Sequence, residues 1–216
     1  MSDVQPLGPD ELLTTTRSVR KRLDLDRPVS MDLIRDSLEV ALQAPSGSNQ
    51  QGWHWLVITD AGKRARIGEY YRQAFTAYRN SSAYPTSTSW GDADRDATQN
   101  RVADSAGYLA EKMGEVPVLI IAAMNAKADL PAANQAGMWG SLLPAAWSLQ
   151  LALRARGLGS AWTSLHLQYE KEIAELLGVP DHVRQGVLLP VAHFTGESFK
   201  PAKRQPLAEV LHENAW

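Results

Sequence analysis

The chain has 216 residues, 44% hydrophobic and 21% charged, which suffices for one substantial core and predicts a single domain over residues 1–216. A formal net charge of −2 leaves no global basic field to hold nucleic acid or an anionic membrane, so its basic residues are expected to act locally. Cysteine is absent, which excludes disulfides, thiolate nucleophiles, Cys-ligated iron–sulfur clusters and Cys-containing zinc sites, and fits a cytoplasmic address.

The opening MSDVQPLGPDELL has neither a basic start nor an apolar run, so no secretory signal is expected. Pro9-Asp10-Glu11-Leu12-Leu13 begins a short helix with acidic residues in its first turn, and the basic run Arg17-Ser18-Val19-Arg20-Lys21-Arg22 follows it. Ser30 is placed to cap a second helix, in which Leu33, Ile34, Leu38, Ala41 and Leu42 recur at helical spacing until Pro45 stops it. A polar loop, Ala44-Pro45-Ser46-Gly47-Ser48-Asn49-Gln50-Gln51-Gly52-Trp53, leads into a strand over Trp53–Thr59, with Trp53 read as a core residue. Asp60 caps a long polar helix running to about Arg79. Asn80–Asp96 is rich in turn formers with little periodicity, which predicts a mobile surface loop, and a helix resumes near Ala97 and runs to Met113.

Val116–Ala123 is a β-branched apolar run of the length of a central, buried strand. Leu130–Leu153 contains no Asp, Glu, Lys or Arg and is long enough to cross a bilayer. Asn134, Gln135, Ser141, Ser148, Gln150 and two prolines dilute it, so the segment is read as a buried helix, kinked at Pro144 and partly covered by a dimer interface. A strand over Ser160–Leu165, a helix from Gln168 to Leu177 ended by Gly178 and Pro180, a strand over Gln185–Phe194 and a tail rich in Pro and Lys complete the chain. Strands separated by helices indicate a sheet with helices on its faces.

Arg17, Ser18 and Arg20 offer a bidentate guanidinium, a hydroxyl and a second positive charge suited to a phosphate dianion; the alternative is a solvated basic loop. Pro45, Ser46, Ser48 and Asn49 combine a rigid apolar edge with hydroxyls and an amide, the mixture that suits a flat ring with a polar rim, although the same residues make an ordinary turn. Gly157-Leu158-Gly159 is not a dinucleotide fingerprint, since a helix precedes it and Trp162 occupies the sixth position. The five histidines show no metal-binding spacing, so no metal site is expected, and no nucleophile elbow or phosphate loop is present.

Taken together, the basic run, the 44–53 loop, Gly157–Trp162 and the closing segment Lys200-Pro201-Ala202-Lys203-Arg204-Gln205-Pro206-Leu207 resemble, in family order from about Leu12 to about Val210, the FMN-dependent nitroreductase family. Thr16 stands where members often carry a further arginine, and Gly52 where a proline usually precedes the tryptophan. The resemblance implies an α+β nitroreductase fold, a mixed central sheet flanked by helices and completed in a homodimer. It implies FMN as cofactor, with Arg17, Ser18, Arg20 and one of Lys203 and Arg204 at the phosphate. Pro45, Ser46, Ser48 and Asn49 would lie against the partner subunit's isoalloxazine. Trp162, Thr163, Ser164 and Leu165 would run beside the flavin, a backbone N–H of Ser164 or Leu165 meeting N5, with no catalytic side chain. NADH or NADPH would supply hydride, and the acceptor would be a nitroaromatic, quinone or similar flat aromatic molecule near Tyr84, Trp90 and His166; a structural role for His166 is the alternative. Loop 80–96 would be a lid over that acceptor. Reductive dehalogenation and non-catalytic flavin binding on the same fold are the alternatives.

Overall fold

The computed structural model describes residues 6–126 and 135–216. Its elements in chain order are α1 (Pro9–Thr15), α2 (Met31–Ala41), β1 (Trp53–Ile58), α3 (Ala61–Arg79), α4 (Ala93–Lys112), β2 (Val118–Asn125), α5 (Ala136–Ala155), β3 (Leu158–Ser160), α6 (Glu170–Leu177) and β4 (Val183–His193). The caps read from sequence operate: the Ser30 side chain accepts from the Asp32 N–H at 3.2 Å, and Asp60 Oδ1 accepts from the Lys63 N–H at 2.8 Å. Gly178, at φ 71°, ends α6 in the left-handed conformation that glycine adopts without cost.

The sheet runs in the order β1-β2-β4-β3. It is α+β as expected. Its three ladders are all antiparallel, and the parallel contribution is a single bridge between Ser18 and Ser160. β2 is buried on both faces, and its alternation divides the core. Val118, Ile120 and Ala122 pack with Leu142, Leu149 and Leu153 of α5 and Ile34 of α2, whereas Leu119 and Ile121 pack with Ile67 and Phe75 of α3, Leu109 of α4 and Ile173 of α6. At Gly186 the β2–β4 register slips, Ala122 facing Val187 and Ala123 facing Gln185. A Cβ there would lie 2.6 Å from Leu142 Cδ2, so the bulge also lets α5 approach.

β2 lies two residues later than expected and β4 starts two residues earlier, and three further boundaries differ for identifiable reasons. α4 begins at Ala93 and not near Ala97, because Asp92 caps it by accepting from the N–H groups of Asp94 at 2.9 Å and Arg95 at 3.1 Å; the loop is therefore 80–92. The strand expected at Ser160–Leu165 stops at Ser160. Beyond it only Thr163 pairs, exchanging backbone bonds with Leu188, and Leu165–Tyr169 then turns as a 3-10 helix. α6 starts at Glu170 and not at Gln168, where the carboxylate takes two bonds from the Arg184 guanidinium at 2.9 and 2.6 Å and one from the Gln185 N–H at 2.8 Å.

The apolar helix runs from Ala136 with Pro144 inside it; the part of that expectation covering residues 130–134 lies outside the described residues. No helix among the described residues is long and apolar enough to cross a membrane.

α3 crosses the turn after α4 at a glycine pair. A Cβ on Gly68 would sit 2.5 Å from the Gly114 nitrogen and 2.7 Å from its Cα, backbone atoms that cannot rotate aside. Gly107, in the middle of α4, would meet only Phe75 Cζ at 3.9 Å. Helix propensity alone favours alanine at both. Packing reverses the sign at one: Gly68→Ala should destabilise by about 1–3 kcal/mol and lower Tm by about 2–10 °C. Gly107→Ala should stabilise by about 0.5–1 kcal/mol. Thermal unfolding of the two variants checks the opposition.

Candidate functional site

The basic run reaches the sheet because residue 159 has no side chain. A Cβ on Gly159 would lie 3.0 Å from Val19 Cγ1 and 3.2 Å from Leu23 Cδ2, so the glycine lets the segment lie directly against β3. The Val19 N–H donates to the Ser160 carbonyl at 2.8 Å, and Val19 and Leu23 are buried. Anchored by these, the polar side chains between and beside them diverge. Ser18 is exposed at the sheet edge. Arg17 is half-buried, and burial first, then the Arg204 guanidinium, hold its pKa below the ordinary arginine value. Neither Arg17 nor Arg204 pairs with a carboxylate among the described residues.

Lys203 turns away instead: its Nζ lies 3.0 Å from Asp94 Oδ2 on α4. Arg20 points between α3 and α4, where Nη1 donates to Ser105 Oγ at 3.4 Å; burial lowers its pKa and the Tyr71 and Tyr78 hydroxyls oppose the shift. Tyr71 is pushed up to about 12 by burial, against Arg20 and a hydrogen bond with Thr163, so a neutral phenol links the basic run to the Trp162–Leu165 segment. Thr16 spends its hydroxyl on the Leu12 carbonyl at 2.7 Å. The sequence had no signal for Tyr71, whose role arises from a contact between distant elements.

Thr163 itself is held to β4, its Oγ1 donating to the Leu188 carbonyl at 2.8 Å. Past that point the chain turns outward. Ser164 is exposed, Trp162 and Leu165 are half-buried, and the N–H groups of Ser164 and Leu165 meet no acceptor among the described residues. His166 is fully buried, with neither ring nitrogen hydrogen-bonded among the described residues; burial, against the Glu170 charge, pushes it down to about 4. The ring therefore sits neutral in the interior and not on a substrate-facing surface.

The 44–53 loop is strained. Ser48, Asn49 and Gln51 have φ of 50°, 54° and 50°, left-handed values that non-glycine residues rarely adopt. Side chains hold them: Ser46 Oγ accepts from the Gln51 N–H at 2.8 Å, and Ser141 Oγ of α5 accepts from the Gly47 N–H at 3.0 Å. Pro45, Ser48 and Asn49 are exposed, Ser46 is half-buried, and Trp53 is in the core. Such strain gathers at functional sites. The loop precedes β1, however, whereas the basic run pairs with β3, the opposite edge of a sheet about 14 Å across. One chain does not bring these two groups together.

Tyr84 and Trp90 do not meet either. Tyr84 packs edge-on against Phe75 and Tyr78, with ring centroids 6.1 and 5.4 Å away, and donates to the Ala103 carbonyl at 3.4 Å. Trp90 is exposed beneath the Arg95 guanidinium at 3.5 Å, and its N–H donates to Asp96 at 2.9 Å. Between Tyr84 and α4 lies a cavity of about 630 Å³ lined by Phe75, Arg79, Tyr84, Asp104 and Tyr108, within the size range of small-molecule sites.

Comparison with known proteins yields a family model, described as the nitroreductase family, that matches residues 13–193. The chain is 30% identical over 203 residues to an iodotyrosine deiodinase of Thermotoga neapolitana, spanning 92% of this chain and 94% of that protein. It is 26% identical over 196 residues to a 4-nitrobenzoate reductase of Nocardioides sp. (strain LMS-CY), spanning 80% of this chain and 75% of that one. Among solved structures, an FMN and NADPH-dependent nitroreductase from Sphigopyxis sp. strain HMH superposes with a TM-score of 0.70 at 24% identity, covering 97% of this chain and all of the other.

The depressed His166 pKa fixes a sign for acid stability. The unfolded chain takes up this proton near pH 6.5 and the folded chain only near pH 4, so stability is lost as pH falls from 6.5 toward 4. The loss amounts to about 3 kcal/mol. His166→Gln should flatten the dependence of unfolding free energy on pH across that window. Urea titrations at pH 7 and pH 4.5 measure the difference.

Proposed function

The chain belongs to the nitroreductase family, and on that premise we propose that it is an FMN-dependent oxidoreductase, working as a homodimer, that uses NADH or NADPH to reduce a nitroaromatic, quinone or similar flat acceptor. The observation that supports the cofactor assignment is that Arg17 and Arg204 repel one another electrostatically and have no carboxylate partner among the described residues, while the neighbouring Ser18 is exposed. An anion bound between them would relieve that repulsion. A terminal phosphate dianion fits, because it accepts charge-assisted bonds from both arginines and from the hydroxyl.

Bound there, FMN supplies hydride acceptance and donation at its N5. The protein's part is to hold and orient. In this reading the free N–H of Ser164 or Leu165 would donate to N5, with Trp162 and Thr163 running beside the flavin. Arg20, which donates to Ser105 and has no carboxylate partner among the described residues, would add positive charge to the flavin site. The strained Pro45–Asn49 loop, at the sheet edge opposite the basic run, would come from the partner subunit. The exposed face of α5 supports that arrangement: Gly137 and Gly140 leave open space where a Cβ would be, and Trp147 and the neighbouring Val40 of α2 are exposed. The loop 80–92, with Tyr84 beside the 630 Å³ cavity, would shape the acceptor site.

The deiodinase relative favours a second reading, in which the same site removes halogen from an aromatic ring. Purified protein should release FMN, not FAD, on denaturation, and should oxidise NAD(P)H with nitroaromatic or quinone acceptors. Halide released from halogenated phenols, without NAD(P)H oxidation by nitro acceptors, would move the assignment to dehalogenation. Bound FMN without turnover in either assay would leave a binding protein only.

A further inference from the structure

The last arginine of the basic run lies outside the proposed anion site. Arg22 turns instead to the chain's C-terminal part. Its Nε donates to the Thr195 carbonyl at 2.6 Å and its Nη1 to the Ser198 carbonyl at 2.9 Å, while its own carbonyl accepts from the Thr195 N–H at 2.8 Å. The guanidinium also lies 4.1 Å from the Phe199 ring centroid and 5.6 Å from that of Phe194, two rings packed 4.9 Å apart. Gly196, at φ 79°, completes the turn; a Cβ there would lie 2.6 Å from Arg22 Nη2. Arg22 thus occupies the inside of the 195–199 turn as its filling.

The segment beyond the turn has little else to hold it. Residues 203–216 are exposed throughout, and the Lys203–Asp94 ion pair is exposed on both sides, a kind of contact that contributes little. Yet in the proposed phosphate site Arg204 has to stand with Arg17. From Phe199 to Arg204 the chain can reach at most about 17 Å, so the position of the turn limits where the Arg204 guanidinium can go.

We propose that Arg22 is a positioning residue for the anion site: by clamping the 195–199 turn it holds the C-terminal strap so that Arg204 and Arg17 meet on the same anion. The proposal rests on the reading of that anion as the FMN phosphate. The planar guanidinium suits the task because it donates along two edges while its face lies on an aromatic ring, which an ammonium cannot do. The six-residue basic run of the sequence is therefore divided by function, with Arg17 at the anion, Lys21 paired to Asp104, and Arg22 gripping the strap that returns the last arginine.

The test uses the full-length protein stripped of flavin, with Arg22→Ala, Arg22→Lys, Gly196→Ala, Arg204→Ala and the double variant Arg22→Ala/Arg204→Ala. FMN affinity is measured by flavin fluorescence quenching, and exposure of the strap by tryptic cleavage after Lys203 and Arg204. Arg22→Ala is expected to weaken FMN binding by about the factor seen for Arg204→Ala, on the order of tenfold or more. The double variant should lose little beyond either single change, because both remove the same contact. Cleavage of the strap should quicken in Arg22→Ala and Gly196→Ala, with Arg22→Lys only partly restoring protection. If Arg204→Ala leaves FMN affinity unchanged, the phosphate reading fails. If Arg204→Ala weakens binding while Arg22→Ala and Gly196→Ala do not, or if the losses add in full, the phosphate reading stands and the positioning role of Arg22 is overturned.

Discussion

The Val19 N–H donates to the Ser160 carbonyl at 2.8 Å in a close approach that a side chain at residue 159 would crowd. That close approach joins a basic loop from the start of the chain to the edge of a sheet finished near its end. With Val19 and Leu23 buried as anchors, Arg17 and Ser18 are left at the rim and Arg20 is directed between α3 and α4. The same edge carries the turn at Thr163 that frees the N–H groups of Ser164 and Leu165. The proposed anion anchor and the proposed hydrogen-bond donor therefore lie along one sheet edge, to which the tail returns through Phe194, bridged to Leu23, before Arg204.

The sheet separates the 44–53 loop from this edge. That loop stores backbone strain at Ser48, Asn49 and Gln51, and it leaves its polar groups exposed at the β1 edge. Strain of this kind, of order 1–3 kcal/mol for a residue, persists where the surroundings over-determine it. Ser141 and Ser46 do so from within one chain. In the proposed homodimer the two edges would come from two copies, and the open glycines on α5 offer a face on which backbones can approach closely.

Much of this was legible in the residues. Capping serine and aspartate and the glycine that ends α6 determine local structure where expected, and the apolar run forms the central strand β2, two residues later than expected. Asp92 sets the start of α4 locally, but two other misjudged boundaries lie where a tertiary bond overrides pattern. Ser160–Leu165 reads as a strand in the sequence, but Thr163 pairs with Leu188 in isolation, and Glu170, fixed by Arg184, sets where the next helix begins. At the site, Arg17 and Ser18 stood out as a motif, and Arg204 could not be told from Lys203 because neighbouring basic residues look alike until one finds Asp94. Arg22 was visible only as one more positive charge; its partners lie more than 170 positions away.

The central claim is that the Arg17–Ser18–Arg204 cluster recognises a flavin by its phosphate. Competition between FMN and riboflavin for the flavin-free protein, at low and high salt, tests this most directly, since the two ligands differ only in that group. The account requires FMN to bind on the order of a hundredfold tighter or more, with the gap narrowing as salt screens the two guanidiniums. Equal affinities at low salt would contradict it.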